Sequence, residues 1–237
     1  MTFKGWQKTS LIEYPGKVAT VLFTGGCNFR CPFCYNADLV QRPQELADLP
    51  GETVLEYLRT NRGLYQALVI GGGEPTLNAE TPEFLAEVKA LDLCTGLETN
   101  GTNPDMIAGL LKEDLVDYIA MDVKAPLTWE AYRRAAGLNE GNRGWIEKIR
   151  ATLELLKTAK AEIELRCTLV PKIHNREDLL NLARQLQGHR RFVLQQFVPE
   201  RALDPLYRDE APFNAETLRE LRSQIADLFG SCEVRGI

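Results

Sequence analysis

Histidine is scarce in this sequence, which has only two, His174 and His189, among 237 residues. Both lie in or beside a segment with a helical pattern and away from the ends of the predicted strands. This placement favours packing or surface roles, so catalysis by histidine is not expected.

Long apolar runs and a large excess of charge of one sign are also absent. No stretch approaches the roughly 20 apolar residues that a membrane helix needs, and the opening MTFKGWQKTS has no signal-peptide core. The formal net charge of -5 gives no general reason to bind nucleic acid or an anionic membrane. We therefore expect a cytoplasmic protein whose cysteines are reduced and form no structural disulfides.

Strand and helix patterns alternate along the chain, without internal repeats or low-complexity tracts. This order predicts an α/β fold with a parallel sheet, namely a partial TIM-like (β/α)6 barrel with outer helices. A single domain, 1–237, is expected, with a barrel core over about 17–197 and a last helix over about 214–229. Two charged segments, 131–145 and 200–212, are predicted to be loops. The predicted strands are 17–23, 66–70, 94–100, 116–124, 162–170 and 191–197.

Polar or glycine-rich residues end or follow each of these predicted strands. Because the carboxyl ends of parallel strands meet at one edge of a sheet or barrel, the polar pieces are expected to converge in one site. In chain order they are GGCNFRC, GGGEPT, ETNGT, MDVK, RCT and QQF.

Three of the six cysteines, Cys27, Cys31 and Cys34, fall within FTGGCNFRCPFCYN at the spacing C-x3-C-x2-C. Thiolates at this spacing can bind one metal centre from a single loop. A structural zinc site or an ordinary iron–sulfur cluster would use four ligands, whereas an open coordination position is typical of a catalytic metal centre. A zinc knuckle with one distant fourth ligand and a set of buried free thiols remain as structural alternatives.

At this spacing the sequence resembles the radical S-adenosylmethionine superfamily. The resemblance implies a [4Fe–4S] cluster on three cysteines, with the fourth iron chelated by the amino and carboxylate groups of S-adenosylmethionine. It also implies one-electron cleavage of the sulfonium to a 5'-deoxyadenosyl radical. Phe33 matches the family's aromatic position near the adenine, although a buried aromatic side chain more often has a packing role.

The segment GGGEPT supports this resemblance, since Gly72, Gly73 and Glu74 match the superfamily's GGE signature. Backbone without side chains lets a ligand approach closely. A carboxylate or carbonyl at this place would also hold the ammonium group of the cosubstrate. On its own, a glycine run followed by proline indicates only a turn.

The next two strand ends resemble activases of glycyl radical enzymes. Thr99 and Asn100 match the family's DTNG motif, in which Glu98 replaces the aspartate, and Asp122 and Lys124 match its DLK motif. The resemblance implies that these segments bind the cosubstrate and a nearby monovalent cation. The extra methylene of Glu98 leaves its own contact undetermined.

The last two strand ends offer an arginine and two amides. Arg166 stands where related activases have an arginine that reaches the cosubstrate, and its planar fork suits a carboxylate. Strand alternation points one of Gln195 and Gln196 at the barrel mouth without deciding which, and Gln196 is the predicted binding residue. A buried ion pair of Asp122 with Lys124 or Arg166 is the structural alternative for these charges.

Across nearly the whole chain the sequence resembles the anaerobic ribonucleoside-triphosphate reductase activating proteins and, more distantly, pyruvate formate-lyase activating enzyme. The resemblance implies hydrogen abstraction from a glycine α-carbon of a partner enzyme, with an electron donor such as flavodoxin or ferredoxin. Tyr35 departs from the histidine usual after the third cysteine. The alternatives are a small-molecule radical enzyme similar to 7-carboxy-7-deazaguanine synthase and a non-catalytic iron–sulfur or zinc protein.

Overall fold

The computed structural model describes residues 1–237 and contains ten strands and eight α-helices. The strands are β1 (Thr2–Phe3), β2 (Gly5–Ser10), β3 (Ala19–Thr24), β4 (Leu49–Pro50), β5 (Ala67–Gly72), β6 (Cys94–Thr99), β7 (Tyr118–Asp122), β8 (Glu162–Leu169), β9 (Arg191–Gln196) and β10 (Ser231–Arg235). The helices are α1 (Ala37–Gln41), α2 (Gly51–Thr60), α3 (Thr81–Lys89), α4 (Pro104–Lys112), α5 (Trp129–Ala136), α6 (Trp145–Lys157), α7 (Arg176–Gln185) and α8 (Ala215–Ile225).

Eight of the strands form one sheet in the order β10-β9-β8-β7-β6-β5-β3-β2. All neighbours in it are parallel except β2, which runs antiparallel to β3. The two edge strands, β2 and β10, do not pair with each other, so the sheet does not close into a barrel. The predicted α/β class with a mainly parallel sheet and outer helices is confirmed, and the six predicted strands correspond to β3 and β5 to β9.

The sheet extends beyond the predicted core of about 17–197 at both edges, because β2 and β10 belong to it. Neither edge strand has the apolar run of a central parallel strand: β2 reads GWQKTS and β10 reads SCEVR. An edge strand is exposed on one side and tolerates polar residues, so its pattern is weak in the sequence.

The prediction of a loop over 131–145 is wrong, because most of α5 falls within it. Buried Tyr132, Ala135 and Ala136 recur at helical spacing, while the charged residues between them face away. Gly137 ends the helix with φ 64°, a left-handed conformation that glycine adopts at little cost. The many charged residues in this segment suggested a loop, although those of α5 lie on the exposed face of a short amphipathic helix.

The two faces of the sheet have different environments. Leu22, Ile70 and Leu97 are fully buried on the face covered by the helices and belong to the main core. The opposite face, on which Val69 and Ala120 belong to a small separate cluster, is called the concave face below. Beyond it, toward the carboxyl ends of the strands, this face becomes polar. No helix is both long enough and apolar enough to cross a membrane.

Both histidines are buried, so the packing interpretation is right and the surface alternative is wrong. His174 and His189 are each 3% exposed. Burial lowers the pKa of both rings. His189 lies between α7 and β9, and its Nε2 atom has no hydrogen-bond partner. A buried neutral ring of this kind makes folding sensitive to acid.

Acid is expected to destabilise the protein through His189. Burial lowers the pKa of this ring to about 4, whereas an unfolded histidine titrates at about 6.5. Between about pH 6.5 and pH 4 the unfolded chain binds more protons at this residue than the folded chain does. The stabilisation from the neutral ring is therefore fully present above about pH 6.5 and is lost as the pH falls toward 4. The contribution is up to about 3 kcal/mol.

The His189→Phe variant should lose less stability on acidification than the wild type. The measurement is urea unfolding of both proteins at about pH 7.5 and about pH 4.5, comparing their free energies of unfolding at each pH. Identical losses in the two proteins would remove His189 as a source of the acid sensitivity.

Candidate active site

The three clustered cysteines lie on the loop that follows β3 and line one cavity of about 400 Å³. Cys31 is buried, and Cys27 and Cys34 are half-buried. Phe33, the aromatic residue predicted to lie near the adenine, is buried and also lines the cavity. Tyr35 is on the rim, half exposed, with the Arg201 guanidinium 4.9 Å from its ring centroid.

Backbone hydrogen bonds fix the cysteine loop to the elements around it. The Gly26 N–H donates to the Leu39 carbonyl at 2.8 Å, and the Arg30 N–H donates to the Ala136 carbonyl at the end of α5 at 2.9 Å. On the opposite side the Asp204 N–H donates to the Pro32 carbonyl, also at 2.9 Å. The loop is therefore positioned by α1, α5 and the segment after β9.

Burial makes the thiols weak acids in the protein alone. It raises the pKa of Cys27 to about 11 and that of Cys31 to about 12, and it also raises the pKa of Cys34. Thiolates rather than thiols bind metals, so loading of this site must release protons.

The donor set fits an iron–sulfur cluster with one open position. Three thiols face one cavity, and no three His, Cys, Asp or Glu side chains lie close enough to bind a single metal ion. A cluster binds its thiolates on different irons, so they need not converge on one point. The cavity's carboxylates, Glu13, Glu98 and Asp122, are engaged by basic side chains.

The glycine segment after β5 packs directly against the cysteine loop. The Gly73 N–H donates to the Thr24 carbonyl at 3.0 Å, and the Glu74 N–H donates to the Gly26 carbonyl at 2.9 Å. A Cβ on Gly73 would lie 1.8 Å from the Gly26 oxygen, and Gly72 has φ 101°. Both positions require glycine, and both residues line the cavity.

Glu74 does not line the cavity, although the neighbouring Gly72 and Gly73 do. The side chain is 2% exposed and accepts hydrogen bonds from Thr76, Thr99 and the Asn100 N–H, the last at 2.6 Å. Burial raises the pKa of Glu74, and these donors oppose the shift. Its carboxylate ties the glycine segment to the end of β6, and only backbone from this segment is left to meet a ligand.

Asn100 connects the end of β6 to the cysteine loop. Its Nδ2 donates to Asn28 Oδ1 at 2.7 Å and lies 3.8 Å from Cys27 Sγ. Asn28 Nδ2 donates to Thr102 Oγ1 at 2.7 Å. Hydrogen bonds to cysteine sulfur are one means by which a protein tunes a cluster. Asn28 was not among the predicted site residues, and its only signal in the sequence is its place between the first two cysteines.

Arg166 is already engaged by protein groups. Its Nε lies 2.6 Å from Glu164, one Nη lies 2.7 Å from Glu98, and the other donates to the Tyr118 hydroxyl at 3.0 Å. Glu164, fully buried, also accepts two 2.7 Å bonds from Arg235 on β10. The guanidinium therefore organises the concave face instead of offering a free fork to a cosubstrate. Nothing in the sequence linked Glu164 or Arg235 to it.

Glu98 and Asp122 are the carboxylates that a monovalent cation would need. Burial and the neighbouring Glu13 raise the pKa of Glu98 to about 8, against the effect of Arg166. Asp122 lies 3.0 Å from Lys124 Nζ, so this ion pair, the structural alternative above, is present. Both carboxylates already face side-chain cations, so a further cation would compete with Arg166 and Lys124 for them. The monovalent cation stays a prediction.

The register of β8 and β9 distinguishes the two glutamines. Gln195 is paired with Thr168, and it shares the concave face with Arg166. Gln196 points to the other side, where its Nε2 donates to the Phe213 carbonyl at 2.6 Å. Both line the cavity, but Gln195 is on the face of the charged residues, whereas Gln196 was the predicted site residue.

Residues 21–186 match the sequence profile described as the Radical SAM superfamily. This match spans more than half of the chain and includes the cysteine loop, the glycine segment and the ends of β6, β7 and β8. The chain belongs to the radical SAM superfamily. Membership implies a [4Fe–4S] cluster and S-adenosylmethionine, and it makes the protein an enzyme, so the non-catalytic alternative is not supported.

Two curated relatives are activating enzymes by name. The chain is 33% identical over 214 residues to "Putative glycyl-radical enzyme activating enzyme MJ1227" of Methanocaldococcus jannaschii, covering 90% of this chain and 86% of the relative. It is 24% identical over 208 residues to the pyruvate formate-lyase-activating enzyme of Clostridium pasteurianum, covering 83% and 81%. This protein is therefore a radical SAM enzyme of the activase-like type.

Solved structures share the fold at low sequence identity. SuiB of Streptococcus suis, in its complex with the precursor peptide SuiA, superimposes with a TM-score of 0.68 at 14% identity and over 91% of this chain. This chain spans 48% of the length of SuiB. At such identity the likeness concerns the fold alone.

Proposed function

We propose that this protein activates a glycyl radical enzyme by abstracting a hydrogen atom from the α-carbon of one glycine. The observation that carries the proposal is the similarity over nearly the full length of both chains to the M. jannaschii protein of that name. The cavity lined by three cysteines supplies the place for the chemistry.

Cys27, Cys31 and Cys34 would hold the cluster as its three protein ligands. With S-adenosylmethionine bound, the cluster supplies one-electron cleavage of the sulfonium and thereby the oxidant for hydrogen abstraction. The protein's part is to shield this site. Phe29 of the cysteine loop, whose ring stacks on Trp145 of α6, and the buried Phe33 both line its wall. A flavodoxin or ferredoxin is the proposed electron donor.

The cosubstrate would lie between the glycine segment and the ends of β7 and β9. Gly72 and Gly73 offer bare backbone there, and Lys124, paired with Asp122, offers a cation in the same cavity. A carboxylate ligand would compete with Asp122 for Lys124 Nζ. Gln195 adds an amide that can donate or accept. We propose that Arg166 serves the cosubstrate indirectly, by fixing Glu98 and the concave face.

The open edge of the sheet favours a polypeptide substrate over a small molecule. A second opening of about 210 Å³ is lined by Ile12 and Glu13, which follow β2, and by Arg235 at the end of β10. It shares four lining residues with the main cavity, namely Glu13, Arg166, Gln195 and Gln196. Leu11 and Ile12 are 70% and 69% exposed. Exposed apolar side chains beside an opening are typical of a surface that meets another protein.

Electron paramagnetic resonance tests both the chemistry and the partner. The anaerobically reconstituted and reduced enzyme would be mixed with S-adenosylmethionine and the anaerobic ribonucleotide reductase of the same organism, which is the proposed partner. A glycyl radical signal on the reductase is expected. Formation of 5'-deoxyadenosine without that signal would reject this partner and direct the search to other glycyl radical enzymes and to small molecules. Absence of both would reject the proposal.

A further inference from the structure

His174 lies beneath the candidate site and both of its ring nitrogens are used. Nδ1 lies 3.0 Å from the Val170 N–H, and Nε2 lies 2.7 Å from the Lys124 carbonyl. An N–H can only donate and a carbonyl can only accept. The ring is therefore the neutral tautomer that carries its proton on Nε2 and donates it to Lys124.

Tyr132 on α5 contacts the other peptide group of Lys124. Its hydroxyl accepts a hydrogen bond from the Lys124 N–H at 3.3 Å, and the side chain is fully buried. β7 ends at Asp122, and the next residue, Val123, still donates its N–H to the Arg166 carbonyl on β8. Lys124 follows Val123. His174 and Tyr132 thus continue the positioning of the backbone after strand pairing has ended.

This placement matters because Lys124 has a long, flexible side chain that lines the cavity. Such a side chain has several rotatable bonds, and a fixed backbone reduces the number of positions from which Nζ can reach a ligand. The ion pair with Asp122 restrains its other end, at 3.0 Å.

We propose that His174 and Tyr132 are positioning residues that hold the Lys124 backbone for the binding of S-adenosylmethionine. The proposal rests on the proposed function, in which Lys124 contacts this cosubstrate. Neither His174 nor Tyr132 lines the cavity, and each acts through the peptide groups of Lys124.

The test is the dissociation constant of S-adenosylmethionine for the cluster-loaded enzyme, measured by calorimetry alongside iron content and melting temperature. The His174→Phe variant keeps a flat ring but loses both hydrogen bonds, and its dissociation constant should rise about tenfold, the effect of 1.4 kcal/mol. Iron content should be unchanged. The His174→Gln variant retains one acceptor and one donor and should recover most of the affinity.

The His189→Phe variant is the matched control, because His189 is equally buried at 3% and does not line the cavity. It should leave the affinity unchanged. If His174→Phe does not fold, the Tyr132→Phe variant, which removes one hydroxyl only, carries the same test with a smaller rise.

A double-mutant cycle separates positioning from general support of the fold. In a Lys124→Met background, His174→Phe should cause no further loss of affinity, because its effect passes through Lys124. Additive losses, or equal losses in the two histidine variants, would overturn the inference. If Lys124→Met alone leaves the affinity unchanged, the proposed role of Lys124 fails first and the inference fails with it.

Discussion

The Cys31→Ala variant is expected to fold but to lose nearly all of its cluster and all cleavage of S-adenosylmethionine. The three thiols that line the cavity are the only cysteines there, so no other thiol can replace the missing one. A cluster bound by two cysteines would lack a ligand on a second iron and would be lost or degraded. The measurement is iron and sulfide content together with visible absorption after anaerobic reconstitution.

Cys232→Ala is the matched control for this experiment. Cys232 lies on β10 and is 4% exposed, and Cys31 is 6% exposed, so both substitutions remove a buried sulfur of the same size. The control should retain a full cluster and lose only the roughly 1 kcal/mol that a small cavity costs. A full cluster in the Cys31→Ala protein would remove Cys31 from the ligand set.

Local patterns were the part of the fold that could be predicted. Local signals mark α4 in the sequence, because Asn103 caps it, accepting from the Met106 N–H, and Pro104 fills its first turn. The apolar runs of β5 and β8 are likewise visible, since central parallel strands are buried on both faces. These signals are complete within a few neighbouring residues.

The same reasoning explains why α5 and β10 were missed. The buried positions of α5 are one tyrosine and two alanines among charged residues, and β10 is a five-residue edge strand. Their identity depends on what covers them in the folded protein, which one short segment does not encode. Tertiary contacts decide such marginal elements.

In the site, the spacing of residues indicated which strand ends would meet, but not what each side chain would do there. Glu74 and Arg166 were both placed near the cosubstrate from sequence, yet their polar atoms are used by Asn100, Glu98 and Glu164. Those partners lie 2 to 68 residues away in the chain. Orientation of a buried charge follows from every donor and acceptor around it, and these come together only in the fold.

The Gly73→Ala variant is expected to lose both cluster loading and affinity for S-adenosylmethionine. The added methyl group would meet the Gly26 oxygen at 1.8 Å, which is far inside contact distance, and this neighbour is backbone that cannot rotate away. Relief requires the cysteine loop or the glycine segment to move, at a cost of about 3 kcal/mol. Because the two segments share hydrogen bonds from Gly73 and Glu74, a shift in either would displace Cys27, the next residue after Gly26.

Gly109→Ala distinguishes this steric effect from the general consequences of replacing a glycine. Gly109 lies within α4, and a Cβ there would meet nothing within 4 Å. Alanine is the better helix former, so this control should gain about 0.5–1 kcal/mol of stability and keep a full cluster. Calorimetric unfolding and iron content measured on both variants give the comparison. A Gly73→Ala protein with normal iron content and normal cosubstrate affinity would show that the close packing of the two loops is not required, and that the cysteine loop is held mainly by its bonds to α1, α5 and the segment after β9.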